Sequence, residues 1–112
     1  MKKRSVMIIN IANDFSIVPS GRFKSKGPHS GESFREDFLV PALKGNEYIS
    51  VEIDGTAGYQ TSFLEEAFGG LVRHRIDSKE NILRRITIVS NNPAYSFYKT
   101  LILEFIEDAV AE

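Results

Sequence analysis

The chain has no cysteine among its 112 residues. Thiol catalysis and thiolate metal sites are therefore excluded, and the composition is compatible with a reducing compartment such as the cytoplasm. The two histidines, His29 and His74, fall in different predicted segments, so neither has a second histidine nearby with which to hold a metal. We predict no cofactor and no metal.

An excess of charge of either sign is also missing. Fourteen Lys and Arg residues face fifteen Asp and Glu residues, which leaves a net charge of −1 and favours neither nucleic acid nor anionic lipid as a partner. The apolar stretch after the basic residues 2–4 is interrupted by Asn10, Asn13 and Asp14. It falls far short of the roughly 18 residues that a membrane span needs. We expect one cytoplasmic domain over residues 1–112.

No catalytic constellation emerges from the sequence either. The chain has no evident set of nucleophile, base and orienting group, and no glycine-rich phosphate-binding fingerprint. Glu65 and Glu66 are adjacent, so they splay about a quarter-turn apart on a helix and do not form an acid–base pair. We predict that the protein is not an enzyme.

Apolar periodicity and turn residues predict an α/β fold with a single mixed sheet of about four strands and three helices packed mainly on one face. The predicted elements are, in chain order, strand 5–12, short strand 15–18, a helix carrying Phe34, Phe38 and Ala42, strand 48–53, helix 63–76, strand 85–89, and a helix from Asn92-Pro93 to about residue 109. The first helix has two candidate starts, a capping box of Ser33 with Glu36 or an earlier start at Ser30. Pro41 predicts a kink or an early stop in it.

The junction between strand 48–53 and helix 63–76 is the most informative segment. The strand ends at Asp54, and a short loop leads to Thr61 and Ser62. Ser62 is predicted to cap the helix, with Glu65 completing a capping box. The alternative is that Ser62 or Thr61 is a phosphoacceptor at the positively polarised end of the helix.

Two glycines and a basic loop complete the observations. Gly69-Gly70 inside the same helix costs roughly 1 kcal/mol per glycine, which predicts a neighbour pressed close to the backbone. The loop 21–35 combines cations with small residues ahead of a helix, a pattern that suits an anion. Its candidate anion-binding residues are Arg22, Lys24, Lys26, Ser30, Gly31 and Arg35; the alternative is a flexible basic loop.

Three stretches carry a family resemblance. They are Pro19-Ser20-Gly21-Arg22 with Gly27 and Ser30-Gly31-Glu32; Phe34-Arg35 with Leu39-Val40-Pro41; and Ser62-Phe63-Leu64-Glu65-Glu66-Ala67-Phe68-Gly69-Gly70-Leu71. With them the chain resembles a small bacterial family of STAS-like domains without an assigned function, and more distantly the STAS domains of anti-sigma factor antagonists. Where the latter have Asp-Ser-Ser-Gly-Leu, this chain has Gln60-Thr61-Ser62-Phe63-Leu64.

The resemblance implies a STAS-like β-β-α-β-α-β-α fold and a regulatory role through a protein partner of the ATPase-fold kinase or anti-sigma class. It further implies that phosphorylation of Ser62 or Thr61 controls docking. The implied partner-binding residues are Asp54, Gly58, Tyr59, Phe63 and Glu66. A second hypothesis is a sensor of a nucleotide or phosphorylated metabolite that uses loop 21–35. The wide apolar face of the last helix also suggests a homodimer.

Overall fold

The fold is built on a small parallel sheet, seen in a computed structural model that describes residues 5–112. The strands are β1 (Val6–Asn10), β2 (Tyr48–Glu52) and β3 (Ile86–Val89), in the spatial order β1-β2-β3. Both pairings are parallel. The α/β class is confirmed, but the mixed sheet of about four strands is corrected to three parallel strands within the described residues.

The predicted second strand, residues 15–18, is wrong. The chain leaves β1 into a π-helical turn, Ile11–Phe15. Local polar groups form this turn, since the Asn10 side chain accepts from the Asn13 N–H at 3.0 Å and Asp14 accepts from the Asn10 N–H at 2.8 Å. Such short-range side-chain bonds compete with strand pairing, and they also end β1 before residue 12.

The helices lie between and after the strands. Helix α1 (residues 31–45) consists of α-helical Gly31–Phe34, π-helical Arg35–Leu39 and α-helical Val40–Gly45. Helix α2 (residues 61–73) has the same make-up, with α-helical Thr61–Leu64, π-helical Glu65–Gly69 and α-helical Gly70–Arg73. Helix α3 is Lys79–Arg85 and helix α4 is Ser96–Asp108, and 3-10 turns occupy Lys24–Lys26 and Pro93–Tyr95. The prediction missed α3, because Ile82 is its only buried residue and gives no apolar periodicity.

Helix α1 takes the earlier of its two predicted starts. The Ser30 hydroxyl accepts from the Ser33 N–H at 3.1 Å, so Ser30 is the cap. The helix does not stop at Pro41. The π-helical turn ends just before it, with the Val40 N–H bonded to the Arg35 carbonyl, so Pro41 falls where the helix changes from the wider to the α-helical bonding pattern.

Helix α2 begins two residues earlier than predicted, and its predicted cap is wrong. Gln60 is the capping position and caps only through its backbone, so Ser62 lies in the first turn and Glu65 closes no capping box. The helix ends at Arg73 rather than near residue 76, because Arg75 adopts a left-handed conformation with φ of 58°.

The core lies on one face of the sheet. Ile9, Ile49, Val51, Ile86 and Ile88 are buried beneath the helices. The opposite face is open, and Val6 and Ile8 on it are 58% and 62% exposed. None of the helices described in residues 5–112 is long and apolar enough to cross a bilayer.

The Gly69-Gly70 pair lies where α2 is approached closely, as predicted. A Cβ on Gly69 would lie 3.3 Å from the Phe105 carbonyl oxygen of α4, and one on Gly70 would collide with the Arg35 guanidinium of α1. These glycines let α4 and the Arg35 side chain contact the backbone of α2 directly.

Candidate functional site: the corner between β2 and α2

The corner between β2 and α2 presents two hydroxyl groups that are not used by the fold. Thr61 is exposed and Ser62 is half-buried, and neither hydroxyl has a hydrogen-bond partner within residues 5–112. The N–H groups of Thr61 and Ser62 also lack acceptors there, because the first turn bonds only from Phe63 and Leu64 to the Gln60 carbonyl. The corner therefore offers free hydroxyls beside free amide donors.

Asp54 holds the start of the corner to the end of β3. Its carboxylate accepts hydrogen bonds from the Ser90 hydroxyl at 2.7 Å, the Asn91 N–H at 2.7 Å and the Asn92 N–H at 3.1 Å. Burial opposes the charged form, but these three donors outweigh it and lower the pKa of Asp54. Asp54 thus acts as a turn residue whose carboxylate is occupied.

Gly58 and Tyr59 place an aromatic group beside the corner. Gly58 has φ of 100°, and a side chain on it would approach the Tyr98 hydroxyl to 3.1 Å. The Tyr59 hydroxyl donates to the Ile53 carbonyl at 2.7 Å, and burial raises its pKa. The Tyr59 ring packs against Tyr98 and Tyr95 with centroid distances of 5.1 and 6.4 Å. Both residues remain half-buried and reachable from solvent.

The other two implied partner-binding residues lie in the interior. Phe63 is fully buried among aromatic rings, 6.0 Å from Phe34 and 6.1 Å from Phe15 between centroids. Glu66 is 3% exposed. In this conformation neither side chain can contact a partner directly, because the amphipathic helix turns both of them inward.

Glu66 belongs instead to an ionic cluster that joins α1, α2 and the loop before α1. The cluster consists of Arg22, Arg35, Glu65, Glu66 and Arg73. Buried Arg35 pairs with the Glu66 carboxylate and also donates to the Glu66 carbonyl at 2.8 Å. Arg22 pairs with Glu65 and lies 3.2 Å from Glu66. Arg35 Nη2 also lies 3.7 Å from Glu36 Oε2, so the three arginines of the cluster are paired with three carboxylates.

Burial and hydrogen bonding act in opposite directions on the two carboxyl groups of the cluster. Desolvation alone would raise both pKa values, but the arginine hydrogen bonds outweigh it. Arg73 and Arg22 lower the pKa of Glu65, and Arg35 and Arg22 lower that of Glu66. Both groups are therefore charged at neutral pH.

The anion-binding candidates of loop 21–35 have found partners within the protein, with one exception. Arg22 and Arg35 are in the ionic cluster, and Lys24 pairs with Glu36 at 2.6 Å. The first four N–H groups of α1 bond to the Gly21 carbonyl, the Arg22 carbonyl and Ser30, and Gly31 is pressed against α2. Exposed Lys26 enters no ion pair among residues 5–112. The hypothesis of a nucleotide sensor therefore gains no support from this loop.

The sequence did not reveal an apolar rim around the corner. Its members are exposed, large and apolar, and they are Ile17, Val18, Phe23 and Phe97. Ile17 reaches the corner through its carbonyl, which accepts from the Ala57 N–H at 2.7 Å, and the Phe97 ring lies 6.2 Å from that of Tyr98. We call these four residues the corner rim. No periodicity signals it, since three of its members come from the irregular loop 16–23 and the fourth comes from α4.

The segment that forms the corner and most of the sheet matches a known protein family. Residues 30–96, more than half of the chain, match the family model of the STAS-like domain of unknown function (DUF4325). The chain belongs to this family. The resemblance seen in the sequence is thereby confirmed, and the matched region contains α1, β2, α2, α3 and β3. No curated protein and no solved structure matches the chain.

The extent of the match divides the ionic cluster of this STAS-like domain. Arg35, Glu65, Glu66 and Arg73 lie inside the matched region, whereas Arg22 and all four residues of the corner rim lie outside it. Within residues 5–112, no three His, Asp or Glu side chains come together in a group suited to a metal ion.

Proposed function

We propose that this STAS-like domain is a non-catalytic regulatory module that acts in the cytoplasm by binding another protein at the corner between β2 and α2. The corner rim carries the proposal. Ile17, Val18 and Phe97 are 61%, 51% and 64% exposed, and Phe23 is 47% exposed. Large apolar side chains that are exposed on segments meeting at one corner are a feature of surfaces that bind other proteins.

We further propose that phosphorylation of Ser62 or Thr61 controls this binding. A phosphoryl group adds close to two negative charges and three acceptor oxygens. At Ser62 it would meet the unpaired N–H groups of the first turn of α2 and the favourable end of the helix dipole. Glu65 and Glu66 do not oppose it strongly, because the arginines of the cluster offset their charge.

The position of Arg22 next to Ser62 supports a mechanism by which phosphorylation would weaken partner binding. Arg22 and Ser62 line the same groove, and Arg22 is one-third exposed while it pairs with Glu65. A phosphate on Ser62 would compete with Glu65 for this guanidinium and so loosen the loop that carries Phe23. The same phosphate would place negative charge in the middle of an apolar surface, which disfavours docking.

The family resemblance suggests a partner of the ATPase-fold kinase or anti-sigma class. The first experiment is to incubate the protein with ATP and such a partner encoded beside it, and to map modified residues by mass spectrometry. We expect phosphate on Ser62 or Thr61. Modification confined to other residues would remove the proposed switch.

The second experiment measures partner affinity for three variants. We expect Ser62→Ala to bind within about twofold of the wild type and Ser62→Asp to bind at least tenfold more weakly, a change of about 1.4 kcal/mol. Thr87→Asp is the matched control, because it places a charge at an exposed hydroxyl position on the face of β3 opposite buried Ile86 and Ile88. Equal affinities for Ser62→Ala and Ser62→Asp would refute the switch. Equal weakening by Thr87→Asp would show that the corner is not the contact surface.

A homodimer through the last helix remains an untested prediction. Ile102 and Ile106 of α4 are buried in the core, and Leu101 and Phe105 pack against it. Phe97, at the start of α4, belongs to the corner rim.

A further inference from the structure

Strand β1 forms an edge of the sheet that is unpaired in the part of the chain that the structure describes. The Tyr48 N–H donates to the Ser5 carbonyl at 3.0 Å, which fixes the phase of the parallel hydrogen bonding between β1 and β2. Since alternate residues of a strand bond to the same neighbour, Val6, Ile8 and Asn10 direct their main-chain groups away from β2. Within residues 5–112, no backbone group of Val6 or Ile8 bonds to a segment outside this pairing, so their outward N–H and carbonyl groups are free.

This edge lacks the features that usually keep the edges of sheets apart. The strand is five residues long and contains neither a charged residue nor a proline. Its side chains on the open face of the sheet, Val6 and Ile8, are each more than half exposed. Soluble proteins commonly protect such an edge with charge, proline or a covering segment. An apolar strand with free main-chain groups therefore favours a further strand beside it.

We infer that a second copy of this chain occupies the edge, and that the two β1 strands pair antiparallel about a twofold axis at Met7. In this register Val6 of each copy lies opposite Ile8 of the other, and each such pair forms two main-chain hydrogen bonds. An axis at Ile8 would instead put Val6 opposite Asn10, whose N–H already donates to the Asp14 carboxylate at 2.8 Å. The axis at Met7 thus uses the outward groups that are free.

The same pairing brings complementary surfaces together. On the open face, Val6 and Ile8 of the two copies form one apolar cluster, and their facing sides are removed from water. Asp14 and Glu52 lie at the carboxyl end of β1 and form no ion pair with any described residue. The sequence before β1, residues 2–4, is Lys-Lys-Arg. Antiparallel strands direct this basic start of each chain towards the carboxylates of the other, so opposite charges meet at both ends.

Self-complementarity is the reason for assigning the edge to a second copy. Any extended segment can bond to free main-chain groups. The β1 edge matches itself in three respects, since its outward residues align in pairs, its open face is apolar and its two ends carry opposite charge. The inference goes beyond the proposed function, because no residue of the corner rim belongs to β1.

The first test measures self-association by sedimentation from about 1 μM to 1 mM protein. We expect the wild type to pass from monomer to dimer in this range. Ile8→Lys puts a charge into the apolar cluster at an exposed position, so it should fold normally and associate at least about tenfold more weakly. Thr87→Lys is the matched control, because it adds the same charge to the open face on β3 and should leave the association unchanged.

Disulfide formation tests the register. Because the chain has no cysteine, Met7→Cys introduces one thiol into each copy. Residues directly opposite in a non-hydrogen-bonded antiparallel pair have Cα atoms about 4.5 Å apart, which a disulfide can span. Ile8 and its equivalent in the second copy are offset by two residues and lie beyond the limit of about 7 Å. Under mild oxidation we expect linked dimers at least about tenfold faster for Met7→Cys than for Ile8→Cys or Thr87→Cys.

Three results would overturn the inference. One is a wild type that stays monomeric at about 1 mM; if Ile8→Lys then weakened binding of the partner protein, the edge would belong to that partner instead. Another is a dimer that Ile8→Lys leaves intact, which would place the contact on another surface such as α4. The third is equal disulfide formation at Met7, Ile8 and Thr87, which would exclude the pairing of the two β1 strands.

Discussion

Removing the charge of Glu66 tests the main structural claim, that a buried ion pair fixes α1 to α2. Both members of the pair are nearly inaccessible, with Arg35 and Glu66 side chains 5% and 4% exposed. In Glu66→Ala the Arg35 guanidinium stays buried and keeps only the more exposed Glu36 carboxylate, 3.7 Å away, as a counter-charge. Breaking a buried pair on one side costs about 3–5 kcal/mol, out of about 5–15 kcal/mol for a whole domain.

The assay is urea unfolding at pH 7, followed by circular dichroism. With a urea dependence of about 1.5 kcal/mol/M for a domain of this size, the loss corresponds to a fall of roughly 2–3 M in the midpoint. Lys24→Gln is the control, because it breaks the exposed Lys24–Glu36 pair and should cost less than about 1 kcal/mol. Replacing both partners, as in Arg35→Met with Glu66→Met, should recover a large part of the loss.

Two results would contradict this reasoning. If Glu66→Ala cost no more than Lys24→Gln, the pair would not be buried in solution. If the double replacement cost the sum of the two single changes, the two side chains would not act on each other.

Further predictions concern acid stability, packing and the corner. The pKa of Glu66 is lowered in the folded state, so its contribution to stability is present above the unfolded pKa of about 4.3 and is lost as the pH falls through the folded pKa. Unfolding experiments at about pH 3–7 should therefore show that Glu66→Gln loses less stability on acidification than the wild type does. Gly31→Ala should cost at least about 1–3 kcal/mol in thermal unfolding, because its Cβ would collide with the Phe63 carbonyl, whereas Gly45→Ala, with no atom within 4 Å, should be neutral or stabilising. Asp54→Ala should cost about 1–3 kcal/mol through the loss of three hydrogen bonds to a charged group, and an unchanged melting temperature would show that the carboxylate does not hold residues 90–92.

The sequence predicted those elements whose signals are local and periodic. The buried face of α2, with Leu64, Ala67, Phe68, Leu71 and Val72, follows from helical spacing and is confirmed. Asn92 before Pro93 marks the turn that leads into α4, and the Asn92 side chain accepts from the Ala94 N–H at 3.0 Å. Capping and periodicity act over a few residues, so one sequence contains them in full.

The wrong predictions concern positions whose structure is determined by a contact with a residue distant in the sequence, or by one of two equally suitable local arrangements. Ser62 has the residue type of a cap, but Gln60 takes the position, and its side chain accepts from the Gly21 N–H at 2.9 Å, a contact across 39 residues. The ion pair between Glu65 and Arg73 joins two residues of one helix, eight positions apart, so their spacing in the sequence places both on the same side of α2. Arg22 and Arg35 reach α2 from 31 to 44 residues away, and no spacing rule connects them to it.

The bare face of the sheet has a practical consequence. Thr87 lies exposed in the middle of β3, and the chain has no cysteine, so Thr87→Cys would introduce the sole thiol of the protein. A fluorophore or a surface tether attached there would sit across the sheet from the layer of helices. The molecule can in this way be immobilised or observed while its interacting corner stays unmodified.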